Sequence, residues 1–348
     1  MNEKRRIVVG ITLAAFLIAA LYFLINADKN VRVDSGFRVV MGTFNRVVAI
    51  APNSRIADKC IEAAFEQLEL VDNLMSDYND NSEIGIVNCQ AFERPVKVSK
   101  PTYDVLQKAL KFSRLSGGAF DVTIGPLMDL WRSASEANSI PTDFQLQQAR
   151  SKIGFEKLIL DSNDMTVRFA VVGMKLDLGG IAKGYAIDQT VLAMRRCGAV
   201  GGMVDVGGEI YVFGEPPSGK DHWLIGLQDP RTAQADLGTG KPLLILKLND
   251  AAVSTSGDYQ RFVLIEGKKY SHIIEPETGR SSAELTSVTI ISPNAADADA
   301  LSTAVTVMGV EKGIELIESI PQTEAIFISS PPEYKFTKTS GAEKYIEK

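Results

Sequence analysis

The chain has 348 residues, 45% of them hydrophobic, enough for a large core in one big domain or two intimately packed lobes. A formal charge of −6 and a pI near 5.2 exclude nucleic-acid binding through a basic surface. Two histidines exclude a His-rich metal centre, and the spacing of Cys60, Cys89 and Cys197 fits neither a zinc site nor a C-x-x-C redox pair.

Residues 1–6 end in Lys4, Arg5 and Arg6, and an apolar run follows from Ile7 to Ile25. Its length suits a membrane-spanning helix better than a signal-peptide core. The basic cluster predicts that the N-terminus stays in the cytoplasm and that the body sits outside the inner membrane. Cleavage near Ala27 is the alternative. No cysteine follows the run, so lipoprotein processing is not available. Residues 26–36 read as a linker, 37–335 as the folded body and 336–348 as a tail.

Within the body, Phe37 to Ile50 reads as strand. Ile56, Cys60, Ile61, Ala64, Phe65, Leu68 and Val71 recur at helical spacing, which predicts an amphipathic helix over 56–72 with Cys60 on its apolar face. Asn/Asp-rich turn chemistry runs through Ser82. A helix is expected from Thr102 to Leu115. Gly125 and Pro126 then interrupt any regular element, and a short helix covers 143–152. Later strands are expected at 203–206, 209–213, 223–227, 243–248, 259–265, 270–274 and 285–291. Helices cover 295–308 and 310–320, and the strand 324–329 closes the body. Hairpins mixed with helices predict α+β architecture rather than a regularly alternating sheet.

The centre of the chain is Lys175 to Asp188, KLDLGGIAKGYAID. A strand end runs into Gly179-Gly180 and then a helix from about Ile181 to Arg196. Free amides at such a helix start favour an anion, and Lys183 adds a cation in the first turn. Gly179 and Gly184 have P-loop spacing, but Tyr185 stands where the lysine is required, and no G-x-G-x-x-G is present. From spacing alone, a tight turn with no ligand fits equally well.

The second informative stretch is AADADALST, residues 295–303. Asp299 and Thr303 are four apart, on one helix face, where a carboxylate and a hydroxyl suit a hard cation. Acidic residues in a first turn also serve the helix dipole with no metal at all. His272, on the strand before the Glu275-Pro276-Glu277-Thr278-Gly279 turn, is either a general base or a structural histidine. Ser254, Thr255 and Ser256 lack a G-x-S-x-G elbow, which argues against a serine hydrolase.

Eight separated stretches resemble, in the same order, the signatures of the ApbE family of FAD:protein FMN transferases. They are MGTF (41–44), MSDYNDNSEI (75–84), GGAFDVTIGPL (117–127), LDLGGIAKGYAID (176–188), VDVGGEI (204–210), VSTSGDYQRF (253–262), YSHIIEPETG (270–279) and ADADALSTAV (296–305). The resemblance implies mixed sheets with helices, in two closely packed lobes around a central FAD cleft. It implies Mg²⁺-dependent transfer of FMN from FAD to a Thr or Ser hydroxyl of an acceptor protein, with release of AMP.

Carried over, Met41, Tyr78, Ala119, Phe120, Asp121, Asp177, Lys183 and Ile273 would contact FAD. Asp299, Thr303 and the carbonyl of Gly180 (or of Ala182) would hold Mg²⁺, and His272 would be the acid/base. The implied acceptors are flavoprotein subunits of membrane electron-transport complexes of the Rnf or Na⁺-translocating NADH:quinone reductase type. Ser340-Gly341-Ala342-Glu343 is similar to the acceptor motif but has glutamate at the acceptor position, so self-flavinylation is not expected. Two alternatives share these residues: an FAD pyrophosphatase, and a membrane-tethered protein that holds FAD without turnover.

Overall fold

The computed structural model describes residues 30–217, 219–232, 241–257 and 262–347. Alternation along one strand sets the layering. In β2 (Thr43–Ala51), Val47, Ala49 and Ala51 face one core while Val48 and Ile50 face another. A strand buried on both faces belongs inside a covered sheet. That sheet has eight strands: β1 (Val31–Val40), β2, β6 (Gly201–Val206), β7 (Glu209–Gly214), β10 (Ala251–Gly257), β13 (Leu285–Ser292), β14 (Glu324–Ser329) and β15 (Phe336–Lys338), in that spatial order. Each neighbouring pair is antiparallel.

The larger core lies under three helices: α1 (Ser54–Met75), α6 (Ala182–Cys197) and α7 (Ala295–Glu318). Their small residues, including Ala57, Ala64, Ala186, Ala300 and Ala304, are fully buried there. On the other face, the hairpin β8 (Trp223–Leu227) and β9 (Leu244–Leu248) covers Val212, Val253 and Ile291.

The remaining helices and strands pack against that larger core or against a smaller one of their own. These are α2 (Glu83–Gln90), α3 (Lys100–Leu115), α4 (Gly125–Glu136), α5 (Asp143–Arg150), the three-stranded sheet of β3 (Val96–Lys97), β5 (Thr166–Phe169) and β4 (Leu158–Asp161), and the hairpin β11 (Phe262–Ile265) and β12 (Lys268–Ser271). A separate core of Leu127, Trp131, Leu146, Ile265 and Ile274 joins α4, α5 and that hairpin. The Trp131 indole N–H donates to the Gly279 carbonyl at 2.8 Å, fixing the Pro276-to-Gly279 turn on α4.

Several expectations are corrected. The linker expected at 26–36 is strand from Val31 onward, because Val31 to Asp34 pair with Val48 to Ala51. Pro126 does not interrupt a regular element but sits in the first turn of α4, where its missing N–H is harmless. The short helix α2 starts at Glu83, directly after the expected turn, capped by Ser82. The tail read at 336–348 carries β15, which pairs with β14, and Ala342 in it is fully buried. The two helices expected at 295–308 and 310–320 are present, because Gly309 (φ 79, ψ 178) breaks the run Ala295–Glu318 between them. The proposed membrane segment 7–25 lies outside the described residues, as do 259–261 of one expected strand. Among the described residues, no helix is long and apolar enough to cross a membrane.

Candidate active site

Two helix N-termini meet beside the large sheet. The α6 start follows the Gly179-Gly180 turn, and α7 starts at Ala295. They are locked by side-chain to backbone bonds. Asp188 on α6 accepts the N–H groups of Ala295 and Ala296 at 2.8 and 3.1 Å, and Asp299 on α7 accepts the Gly184 N–H at 3.0 Å. These satisfy amides that a helix start leaves without intrahelical partners.

A cavity of about 500 Å³ opens at this junction. Its walls include the loop residues Ala119, Phe120 and Asp121, the signature residues Asp177, Gly180 and Lys183, and Asp299 and Thr303 from α7. Tyr78, His272 and Ile273 complete the set read from sequence. Eleven of the twelve residues in that set therefore converge on one space, from stretches spread between 78 and 303. Met41 does not line it. Its N–H donates to Asp72 on α1 at 3.0 Å and its side chain packs on the main core, so its neighbour Thr43 reaches the wall instead. The alternative carbonyl donor, Ala182, is buried behind the wall rather than in it.

The charged centre of the cavity is a group of three, a half-buried lysine between two buried carboxylates. Lys183 ion-pairs directly with Glu209 Oε1 and lies 3.9 Å from Asp299 Oδ1. Burial raises the Asp299 carboxyl above the ordinary range, against the lowering pull of Lys183 and of the Gly184 N–H. One oxygen of Glu209, Oε2, is buried with no hydrogen-bond partner. A Cβ built on Gly180 would sit 3.0 Å from Thr303 Oγ1 and 3.1 Å from Phe120 Cε2, so this glycine permits the approach.

Elsewhere on the lining, burial pushes the Asp77 acid up to about 6, and the neighbouring Asp177 carboxylate adds to the shift. Asp177 Oδ1 itself accepts the Gly179 N–H at 2.7 Å, which shapes the turn. Asp121 is buried and raised, with Oδ1 receiving the Thr123 N–H and hydroxyl at 2.8 and 2.7 Å. Tyr78 stands at the rim, 80% exposed, with the Arg132 guanidinium 5.0 Å from its ring centroid. His272 lies one residue beyond β12 rather than on a strand, because Ser271 ends the hairpin. Ser281 Oγ donates to the Ser271 carbonyl at 2.9 Å and the Ser282 N–H to the Ile273 carbonyl at 2.9 Å, holding this segment at the wall.

The model of the ApbE family matches residues 41–327. The chain belongs to the ApbE family. It is 34% identical over 314 residues to the FAD:protein FMN transferase of Treponema pallidum, covering 86% of this chain and 85% of that one. It is 30% identical to the enzyme of that name from Vibrio cholerae, over 95% and 98% of the two chains. Among solved structures, the ApbE protein of Thermotoga maritima superposes with a TM-score of 0.80 at 28% identity, covering 92% of this chain and all of that one. A histidine-to-glycine mutant of the Vibrio cholerae flavin transferase ApbE gives 0.77 at 30% identity, covering 91% and 99%. The mixed α and β fold agrees with these structures.

Sequence reasoning missed Asp77, Thr43 and Glu209 as wall residues and gave no role to Thr255 and Ser256. The signal was present: each lies inside one of the eight ordered stretches. The strands on either side of Gly207-Gly208 were expected, but one-dimensional reading could not show that this β6–β7 turn presents Glu209 to Lys183.

Proposed function

We propose that this ApbE-family protein transfers FMN from FAD to a Thr or Ser hydroxyl of an acceptor flavoprotein, releasing AMP. The observation that carries the reading is the convergence of the α6 start, Lys183, Asp299, Thr303 and His272 on one cavity. The volume falls in the range of small-molecule sites, and the wall combines apolar side chains with a few charged ones.

The donors also fit Mg²⁺. Asp299 and Thr303 offer oxygen from adjacent turns of α7, Gly180 adds a backbone carbonyl, and the Lys183–Glu209–Asp299 group carries a formal charge of about −1. Among the described residues no three His, Cys, Asp or Glu side chains are grouped to hold a metal. Two side chains and a carbonyl leave positions for phosphate and water oxygens, the usual habit of Mg²⁺. When bound, the metal would neutralise pyrophosphate charge and make phosphorus a better electrophile.

The protein's own residues supply the rest. Lys183 and the positive end of the α6 dipole hold the pyrophosphate, with Phe120 and Ile273 against the rings of FAD. His272 takes the proton of the acceptor hydroxyl as its oxygen bonds to the phosphorus on the FMN side. The bond from that phosphorus to the bridging oxygen breaks, and AMP leaves with that oxygen. FMN remains on the acceptor as a phosphoester. Rim exposure of Tyr78 suits a site that must admit a protein side chain.

The N-terminal run of residues 7–25 supports anchoring in a bacterial inner membrane with the body on the periplasmic side. The acceptors we infer are flavoprotein subunits of membrane electron-transport complexes of the Rnf or Na⁺-translocating NADH:quinone reductase type. The test is to incubate residues 30–348 with FAD, Mg²⁺ and a threonine-bearing acceptor domain, following AMP and flavin. AMP released in step with flavin bound to the acceptor supports the transferase. AMP with free FMN alone makes the protein an FAD pyrophosphatase, and FAD held unchanged makes it a flavin carrier.

A further inference from the structure

Lys183 stands between two carboxylates that are nearly sealed from solvent, Glu209 with 8% and Asp299 with 4% of its side chain exposed. The ammonium is not shared equally. It contacts Glu209 Oε1 directly and remains 3.9 Å from Asp299 Oδ1, beyond hydrogen-bond distance. The other Asp299 oxygen is engaged by the Gly184 N–H. An ammonium between two buried carboxylates is drawn to whichever is nearer, so without Glu209 the next carboxylate for Lys183 is Asp299. Closing that gap needs only a small side-chain movement.

We propose that Glu209 is a positioning residue that holds Lys183 off Asp299 and so keeps the Asp299 carboxylate open to a divalent cation. The inference rests on the reading of Asp299 and Thr303 as a metal site. Glu209 is well placed for the task. It is the first residue of β7, paired with Val206 across a tight turn in the middle of the large sheet. Its backbone is therefore fixed, and its carboxylate gives Lys183 a rigid alternative partner. Lys183 then stays at the cavity wall, available to phosphate, without occupying the oxygen that a cation needs. Glu209 acts through Lys183 rather than as a ligand, in keeping with the lack of a three-carboxylate cluster among the described residues.

The test is a binding cycle read without turnover. Mn²⁺, which accepts the same oxygen ligands, is titrated into the protein and free Mn²⁺ is followed by electron paramagnetic resonance, first without FAD and then with FAD present. The proteins are the wild type, Glu209→Gln, Lys183→Met, the double variant and an Asp299→Asn control. Glu209→Gln is expected to weaken Mn²⁺ binding about tenfold, the scale of coupling between contacting residues. Lys183→Met alone should change it less than about twofold, because the lysine is already held away. The double variant should return to within about threefold of the wild type, because the competitor is gone.

A Glu209→Gln protein that is merely damaged would not recover when Lys183 is also replaced. A double variant as weak as Glu209→Gln overturns the inference and makes Glu209 a direct contributor to the metal. Equal gains from Lys183→Met in both backgrounds overturn it too, since charge alone would then explain the data. Wild-type protein that binds Mn²⁺ no better than Asp299→Asn in either condition contradicts the metal reading itself.

Discussion

The N–H of Gly184 donates to Asp299 across 115 residues of sequence, at 3.0 Å. This bond ties the first turn of α6 to the second turn of α7, and with it the signature loop to the helix face that carries Asp299 and Thr303. The closeness depends on the missing side chain. A Cβ at position 184 would lie 2.3 Å from the Ala295 carbonyl oxygen and 2.7 Å from the Ala296 Cα, both rigid backbone atoms. Gly184→Ala must therefore push the two helices apart. Such overpacking costs about 1–3 kcal/mol, and more where backbone must move. The variant is expected to melt several degrees lower in calorimetry and to lose transfer activity, whereas a melting temperature equal to wild type would contradict the contact.

Asp299→Asn separates chemistry from packing. Asparagine keeps an oxygen to accept the Gly184 N–H but removes a charge whose burial is unfavourable. The variant should fold with stability equal to or above wild type, yet transfer should fall by roughly 100-fold or more, because a metal supplies several kcal/mol to phosphoryl transfer. Initial rates at saturating Mg²⁺ decide it, and near-normal rates would remove Asp299 from the site.

His272→Gln asks whether the imidazole moves a proton or only fills the wall. A base acting on the acceptor hydroxyl contributes about 10²–10⁴-fold. The expected outcome is a kcat lowered by at least about 100-fold with KM for FAD changed less than about threefold. A rise in KM for FAD with kcat preserved would give His272 a binding role instead.

Asp188 contributes to the pH dependence of stability. Burial pushes its acid up to about 6 from an ordinary 3.8, despite the two amides it accepts. The folded state thus holds this proton more tightly than the unfolded chain. Stabilisation from it is complete below about pH 4 and is lost as pH rises through about 6. Asp188→Asn keeps one acceptor for the α7 amides and does not titrate. Relative to wild type, the variant should gain stability between about pH 4 and pH 7, by up to about 3 kcal/mol. Paired denaturant melts at both ends of that range check the sign, and a difference independent of pH would contradict it.

Much of this site was legible because its chemistry sits in short ordered stretches. The Asp299/Thr303 pair follows from helical spacing, and the Gly179-Gly180 turn from the glycines themselves. Regular elements with strong apolar periodicity, such as α1, were also readable, and Cys60 is buried on its apolar face as that pattern implies. What escaped was long-range. Residues 31–36 look like a linker because β1 is an edge strand, largely exposed, that gains its structure from pairing with β2. Pro126 looked like an interruption because position within a first turn cannot be read before the helix is known. Glu209 passed unnoticed because its partner, Lys183, lies in a different element and only the sheet brings them together.

The most direct measurement is the intact mass of an acceptor domain after incubation with this protein, FAD and Mg²⁺, beside an acceptor whose target threonine is replaced by valine. The threonine acceptor is expected to gain one FMN mass, with an equal amount of AMP released, and the valine acceptor to gain nothing. AMP formed at the same rate with both acceptors, and no mass added to either, would contradict that expectation.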